Sequence, residues 1–316
     1  MARKNVTQQL APTDEGFAHA VAILTEGGLV AVPTETVYGL AARADSAEAV
    51  AAIYAAKGRP SFNPLIVHVK DLEQAERFAH FDNRARDVAR RFWPGPLTLV
   101  LPMREEAGLA KAVSAGLATI ALRAPAHPVM QHLLERLPFP LAAPSANRSE
   151  EVSPTRPEHV IASLEGRCPA VIDGGPTHDG LESTIIALRE GGRWNLLRPG
   201  PITTKALEEV LGPQTVQEKA KIEAPGQTAR HYSPGKPLRR NAQEVAPDEF
   251  FIGFGAVRGD CNLSDKGDLA RAAANLYECL HQAAASDKPR IAIAPIPDDG
   301  IGLAINDRLR RAATAS

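Results

Sequence analysis

The chain has 316 residues, of which 44% are hydrophobic and 23% are charged, a composition typical of a soluble globular protein. Its 36 Lys and Arg residues are balanced by 37 Asp and Glu residues, so the net charge of -1 excludes a general attraction to nucleic acid or to an anionic membrane. No apolar segment reaches the roughly 18 residues that span a bilayer, and the N-terminal sequence lacks an apolar signal segment. We therefore expect a cytoplasmic protein without membrane association, in which any anion site is local.

The N-terminal part of the chain alternates predicted helices and strands. A helix over residues 14–26 stops at a pair of glycines, and a buried strand follows over residues 29–33. Ser46 is placed to cap a second helix that ends at Gly58, and residues 64–70 form the next strand. The alternation continues to residue 211, which predicts a single α/β unit of roughly 200 residues with polar groups at its strand ends.

The pattern changes after this unit. Residues 212–240 lose the periodicity and contain four prolines and an excess of basic residues, which predicts an extended linker. Beyond the linker, strand and helix patterns alternate again to the end of the chain. The sequence therefore predicts a large domain over residues 1–211 and a small α/β domain over residues 241–316.

The three cysteines form no recognisable motif. Cys168, Cys261 and Cys279 are widely spaced and contain no CxxC pair, which argues against both a disulfide framework and a cysteine-rich zinc site. We expect all three to be reduced.

Cations stand at two predicted element ends. Lys57 and Arg59 lie two residues apart where a helix gives way to Gly and Pro, so both can reach one anion, and a triphosphate suits an ammonium beside a guanidinium. The alternative is a helix C-terminus whose dipole is complemented by cations. Arg123 ends an apolar strand and needs a phosphate or carboxylate partner. A structural ion pair with a nearby Glu explains it equally well.

Hydroxyl, amide and imidazole groups follow other strands. Ser145 and Asn147 flank a short loop that can cradle an oxyanion, although an ordinary Ser or Asn turn accounts for the same residues. His68 is typical of a buried core histidine, and Ser183 is consistent with the start of a strand. No GxSxG elbow and no metal-binding HExxH motif occurs, so this inventory favours an enzyme that orients anions over one that attacks covalently.

Taken together, the motifs resemble one known family. The segments "PTETVYGL", "KGRPSFNPLIVHV", "FWPGPLTLVL", "LRAPAHP", "APSANRS", "SPT", "DGG", "ESTII" and "LLRPGP" occur in this order over about residues 14–211. They closely resemble the YrdC-type family of L-threonylcarbamoyladenylate synthases. The segments "ARHYSPGKPL" and "INDRLRRAA" are similar to the long, two-domain form of that family. The resemblance implies a large YrdC-like domain with a twisted mixed sheet and a smaller Rossmann-like C-terminal domain, joined by a linker that closes over the active site.

The resemblance also implies a reaction and its residues. L-threonine, bicarbonate and ATP give threonylcarbamoyl-AMP and pyrophosphate, the first step of the t6A modification of tRNA. The KxR and SxN signatures correspond to the catalytic residues Lys57, Arg59, Ser145 and Asn147, which surround the triphosphate. The positions that match ATP-binding residues are Arg59, Asn63, Thr119, Ser145, Ser153, Arg198 and Tyr232. The positions that match L-threonine-binding residues are Thr36, His68, Arg123, Ala143 and Ser183.

Further expectations concern cofactors and partners. Mg²⁺ is expected with the ATP phosphates, and no residue is assigned as a direct metal ligand. A downstream threonylcarbamoyl transferase complex is the expected protein partner, with tRNA involved only indirectly. The alternative is a double-stranded RNA-binding or regulatory module of the same fold, which the balanced net charge disfavours.

Overall fold

The computed structural model describes residues 6–164, 166–215, 223–225 and 231–314, and this part of the chain forms two sheets with helices packed on them. The strands of the larger sheet are β1 Gln8–Leu10, β2 Val30–Pro33, β3 Tyr38–Arg43, β4 Ile66–His68, β5 Leu97–Pro102, β6 Thr119–Arg123, β7 Leu141–Ala142, β8 Ala170–Ile172, β9 Thr184–Leu188 and β10 Trp194–Arg198. The helices of this domain are α1 Asp14–Thr25, α2 Ala47–Lys57, α3 Leu72–Ala75, α4 Asn83–Phe92, α5 Pro128–Glu135, α6 Pro157–Leu164 and α7 Thr204–Leu211.

The larger sheet is mixed. Its strands lie in the order β1-β8-β2-β3-β7-β4-β6-β5-β9-β10, with parallel and antiparallel neighbours. The central strands are apolar and fully buried, as expected for a sheet covered by helices on its faces. The predicted mixed α/β fold is confirmed.

Strand β3 was not predicted from the sequence. It pairs antiparallel with β2, with Pro33 opposite Tyr38, so residues 34–37 form the tip of a tight hairpin. This connection explains the polar residues after the first buried strand, because a hairpin tip has backbone groups that no ladder satisfies.

Helix α2 begins and ends as its sequence predicts. The Ser46 hydroxyl accepts a hydrogen bond from the Ala49 amide at 3.2 Å, and Gly58 follows the helix with a positive φ of 61°. The left-handed glycine turns the chain away from the helix axis. Arg59 therefore leaves α2 in a different direction from Lys57.

The second sheet is small and entirely parallel among the described residues. Its strands are β11 Leu238–Arg239, β12 Glu249–Gly253, β13 Cys261–Asn262 and β14 Arg290–Ile293, in the order β11-β14-β12-β13, and its helices are α8 Leu269–Ala285 and α9 Gly302–Thr314. Strand β11 lies inside the segment that the sequence predicted as linker. Residues 216–222 and 226–230 of that segment lie outside the described residues.

The two domains share one apolar core. Val37, Val152 and Leu181 of the first domain pack in the same buried cluster as Leu276 and Tyr277 of α8. Gly180 marks the closest approach: its φ is +69°, and a Cβ there would lie 2.5 Å from the Cα of Ala274. Only glycine fits this contact without moving the helix.

The prediction that all cysteines are reduced is wrong for two of them. Cys261 on β13 and Cys279 on α8 form a disulfide, with their Cα atoms 6.0 Å apart. Strand β13 packs directly against α8, and this tertiary contact brings together two cysteines that are 18 residues apart in sequence. Cys168 is a free thiol in the core, where burial raises its pKa to about 12.

No helix in the described part of the chain has the length and apolarity to cross a membrane.

Candidate functional site

The tip of the β2–β3 hairpin is organised by one threonine. The Thr34 hydroxyl donates to the carbonyl of Val37 at 2.7 Å and accepts from the amides of Thr36 and Val37 at 3.2 Å each. A fourth contact of 2.8 Å joins the Thr34 hydroxyl to the Thr36 hydroxyl. Thr34 therefore closes the turn and fixes the direction of the Thr36 side chain.

Arg123, at the end of β6, donates through all three of its guanidinium nitrogens. Nη2 donates to the Glu35 carboxylate at 2.6 Å, Nη1 to the Thr36 hydroxyl at 2.9 Å, and Nε to the carbonyl of Gly95 at 3.2 Å. The other Glu35 oxygen accepts from the Ala126 amide at 3.0 Å. We call Glu35, Thr36 and Arg123 the paired cluster, because its one cation is matched by one anion. The structural ion pair considered from the sequence is present.

Lys57 ends α2 and is fully enclosed. Its ammonium donates to the carbonyl of Ser145 at 2.5 Å and also to that of Asn147. Burial, reinforced by the neighbouring Arg59, holds the pKa of Lys57 well below its usual range. The side chain therefore fixes the loop of residues 145–147, and its ammonium has no carboxylate partner in the described residues.

Two further arginines have only neutral acceptors in the described part of the chain. Arg59 donates to the carbonyls of Asn63 at 3.3 Å and Pro64 at 3.0 Å, and burial lowers its pKa to about 10. Arg198, at the end of β10, donates to the carbonyl and the hydroxyl of Ser183 at 3.0 Å each, and burial lowers its pKa. We call Lys57, Arg59 and Arg198 the cationic cluster.

One neutral histidine accompanies each cluster. Burial, together with Arg123, lowers the pKa of His68 to about 3. Burial lowers the pKa of His231 to about 3 as well, against the opposing charge of Glu182. The Nδ1 atoms of both rings are buried without a partner among the described residues. Both imidazoles are therefore uncharged at neutral pH and offer a free nitrogen.

Most of these groups line one cavity that is partly open to solvent, and the room inside it amounts to about 40 Å³. The lining residues come from the hairpin tip and β3, the ends of five further strands, the loop after α2 and the segment beyond α7: Thr34, Thr36, Val37, Gly39, Arg59, Ile66, His68, Arg123, Ala143, Pro144, Ser145, Glu182, Ser183, Arg198, Pro225 and His231. Both the paired cluster and the cationic cluster therefore present side chains to the same space.

Eight of the residues that the sequence singled out line this cavity: Thr36, Arg59, His68, Arg123, Ala143, Ser145, Ser183 and Arg198. Six do not line it in the described part of the chain: Lys57, Asn63, Thr119, Asn147, Ser153 and Tyr232. Lys57 lies behind the lining residues, where its ammonium contacts the loop of residues 145–147. Asn63 and Asn147 each keep a buried side-chain oxygen that has no hydrogen-bond partner in the part of the chain that the structure describes. Thr119 begins β6 opposite Pro102.

The last two positions belong to the contact between the domains. The Ser153 hydroxyl donates to Glu182 at 2.5 Å, and the Ser153 carbonyl lies 3.1 Å from Nε2 of His281 on α8 of the second domain. The Tyr232 ring lies against His231, with ring centroids 3.9 Å apart, and stacks on Tyr277 at 5.6 Å. Tyr232 is thus buried behind His231, and His231 is the residue that lines the cavity.

Sequence reasoning assigned no role to three residues that shape the site. Glu35 pairs with Arg123 across 88 residues, Glu182 lines the cavity, and His231 contributes a neutral imidazole. Each of the three directly precedes a residue that the sequence analysis selected (Thr36, Ser183 or Tyr232), and this adjacency was the one sequence signal that could have indicated them. No group of three or more His, Cys, Asp or Glu side chains able to hold a metal ion occurs among the described residues.

Comparisons with known proteins cover both domains. The Sua5/YciO/YrdC family model, described as "Telomere recombination", matches residues 22–200, and a model of the threonylcarbamoyl-AMP synthase C-terminal domain matches residues 202–314. The threonylcarbamoyl-AMP synthase of Bacillus subtilis is 40% identical over 98% of this chain and 96% of its own length. The enzyme of that name from Pyrococcus abyssi is 38% identical over 93% of each chain. The crystal structure of P. abyssi Sua5 complexed with L-threonine superposes with a TM-score of 0.89 at 36% identity, covering 98% of both chains.

Proposed function

The chain belongs to the Sua5/YciO/YrdC family of threonylcarbamoyl-AMP synthases in its two-domain form, and from this premise we propose that it converts L-threonine, bicarbonate and ATP into threonylcarbamoyl-AMP and pyrophosphate. The observation that carries the proposal is that one cavity receives side chains of both clusters, Thr36 and Arg123 of the paired cluster and Arg59 and Arg198 of the cationic cluster. A zwitterion and a polyanion need these two different environments within reach of one another.

The paired cluster is the proposed threonine site. The P. abyssi relative was crystallised with L-threonine. Here Arg123 is oriented by Glu35 and Thr36 and suits a carboxylate, while the carboxylate of Glu35 balances its charge. The free Nδ1 of His68 can accept a hydrogen bond from the amine or hydroxyl of threonine. Valine would leave these polar groups unpaired, so we expect it to be rejected.

The cationic cluster is the proposed triphosphate site. Arg59 and Arg198 line the cavity, and Lys57 fixes the backbone of Ser145 and Asn147 beside it. The cations are buried and carry no carboxylate partner in the described residues, so a bound triphosphate supplies the missing negative charge. We propose that a carbamate oxygen of the threonine adduct attacks the α-phosphate and that pyrophosphate leaves into this cluster.

The residues also suit a magnesium ion that arrives with ATP. The described chain offers no dedicated set of carboxylates for it, and Mg²⁺ commonly binds through phosphates, water and few protein oxygens. Ser145 and the unpartnered oxygen of Asn147 are the groups that would hold it. Bound Mg²⁺ would neutralise charge on the phosphates.

Isotope-traced turnover tests the function. Purified protein is incubated with ATP, Mg²⁺ and ¹³C-bicarbonate, and pyrophosphate release is compared for L-threonine, L-serine and L-valine. We expect release that requires both threonine and bicarbonate, with one ¹³C atom in the nucleotide product. Release without bicarbonate would indicate adenylation of the amino acid itself. Absence of release, combined with salt-dependent binding of double-stranded RNA, would favour the RNA-binding alternative. The further expectation is that a downstream transferase passes the threonylcarbamoyl group to tRNA for the t6A modification.

A further inference from the structure

Arg308 of α9 is the most deeply buried charge that the second domain brings to the contact between the domains. Its exposed fraction is 0%. Nε donates to Glu182 at 2.9 Å, Nη1 to Asp307 at 3.0 Å and Nη2 to the carbonyl of Pro199 at 3.0 Å. A buried guanidinium is tolerated only when its donors are satisfied, so these three contacts fix its orientation.

Each contact outside α9 reaches an element of the cavity. Glu182 lines the cavity itself. Pro199 directly follows Arg198 of the cationic cluster. The guanidinium carbon also lies 5.3 Å from the ring centroid of Tyr232, whose neighbour His231 lines the cavity. One side chain of the second domain thus contacts three separate segments of the first domain and the connecting chain.

The second domain contacts Glu182 through a second residue, Tyr277 of α8. Tyr277 donates to Oε2 of Glu182 at 2.8 Å, the oxygen that Arg308 also contacts, while Ser153 donates to Oε1 at 2.5 Å. Although burial favours the neutral acid, Arg308 and Arg198 lower the pKa of Glu182 to about 2. Without Arg308 this carboxylate would stand buried and poorly compensated beside the cavity that is proposed to bind a triphosphate.

The backbone conformation of Tyr232 also has to be stabilised by surrounding residues. Its φ is +63°, a conformation that non-glycine residues rarely adopt and that persists only where the surroundings impose it. The rings of Tyr277 and His231 and the guanidinium of Arg308 pack around its side chain. The next amide, that of Ser233, donates to the carbonyl of Glu150 at 2.7 Å and returns the chain to the first domain.

We propose that Arg308 is a positioning residue of the active site: the second domain uses it to hold Glu182, the Arg198–Pro199 turn and the His231–Tyr232 segment in their places around the cavity. The role in turnover rests on the proposed function, whereas the hold on the His231–Tyr232 segment does not. The second domain is by this account a part of the active site that touches no substrate.

The variant Arg308→Lys tests the proposal. Lysine keeps the charge, but its single ammonium cannot reach Glu182 and Pro199 together and cover the Tyr232 ring as a planar fork does. We expect the hydrogen-exchange rate of the Ser233 amide to rise about tenfold and kcat for pyrophosphate release to fall about tenfold, the loss typical of one hydrogen bond to a charged group. KM for threonine should stay within about twofold, because the paired cluster has no contact with Arg308.

Arg271→Met is the matched control, since Arg271 lies on α8 of the same domain with an exposed side chain. The control should change neither quantity. If Arg308→Lys does not give folded protein, Arg308→Met/Glu182→Gln removes both charges together. The exchange rate of Ser233, which should rise, is then the deciding measurement, because Glu182 itself lines the cavity.

Wild-type exchange at Ser233 and unchanged kcat in a folded variant would overturn the proposal, even if the melting temperature fell. If the wild-type protein releases no pyrophosphate, the proposed function fails, and the exchange rate of Ser233 alone decides the role of Arg308.

Discussion

The paired and the cationic cluster face the same cavity but differ in how their charges are satisfied. Arg123 is matched by Glu35, whereas the donors of Lys57, Arg59 and Arg198 reach only carbonyl and hydroxyl oxygens within the described residues. Burial accordingly lowers the pKa of all three members of the cationic cluster. An ion-paired arginine suits a zwitterion, and cations without a hydrogen-bonded carboxylate suit a polyanion. This difference supports the proposed placement of threonine at the paired cluster and of the triphosphate at the cationic cluster.

Removing a cation from the cationic cluster should have the largest effect. Arg59→Ala deletes the guanidinium that lines the cavity, and we expect kcat/KM for ATP to fall about a hundredfold or more, the typical loss for a preorganised donor to a charged group. KM for threonine should change far less. Steady-state pyrophosphate release checks both. Arg90→Ala, which removes a surface arginine with a 65% exposed side chain, is the control. Equal losses for both substrates would show that the clusters do not act separately.

Neutralising the anion of the paired cluster should have an intermediate effect. Glu35→Gln keeps the shape but leaves the charge of Arg123 unmatched, and we expect threonine to bind about tenfold more weakly, since an ion pair that orients the guanidinium is lost. Calorimetric titration with threonine measures the change. Affinity for ATP should be unaffected, and exposed Glu105→Gln should alter neither ligand. Weaker binding of ATP alone would reverse our assignment of the clusters.

The smallest expected effect concerns the neutral histidines, which should make the free energy of unfolding decrease as the pH falls. The pKa of His68 is about 3 in the folded protein against 6.5 as the ordinary value, so the unfolded chain binds the proton first as pH falls. Stability is therefore full above pH 6.5 and declines below it. At pH 5.5 this histidine alone should lower the free energy of unfolding by about 1 kcal/mol.

Chemical denaturation of wild type and His68→Gln at pH 7.5 and 5.5 measures that difference. The variant should lose less stability on acidification than the wild type, while His19→Gln, on the exposed face of α1, should behave as wild type. Identical pH dependence in all three proteins would mean that His68 is not held neutral by the fold.

The sequence predicted local features well and long-range partners poorly. Ser46 and Gly58 bound α2 as expected because capping depends on neighbouring residues. Strand β3 was missed because its polar hairpin tip hides the start of a strand. The pairing of Cys261 with Cys279, and that of Glu182 with Arg308 across 126 residues, arise only when separate elements pack together. The cations were recognised from their positions, but which of them carry a carboxylate partner is a property of the folded chain.

The shared core has a practical consequence for anyone who produces the first domain alone. A chain ending at Leu211 would lose α8 and leave Val37, Val152 and Leu181, now buried with it, facing water. Adjoining apolar surface of this kind favours self-association, so such a fragment should aggregate unless these positions are made polar. A natural single-domain relative should accordingly carry polar residues at these three positions. It should also tolerate a side chain at position 180, because it lacks the α8 backbone that a Cβ there would meet.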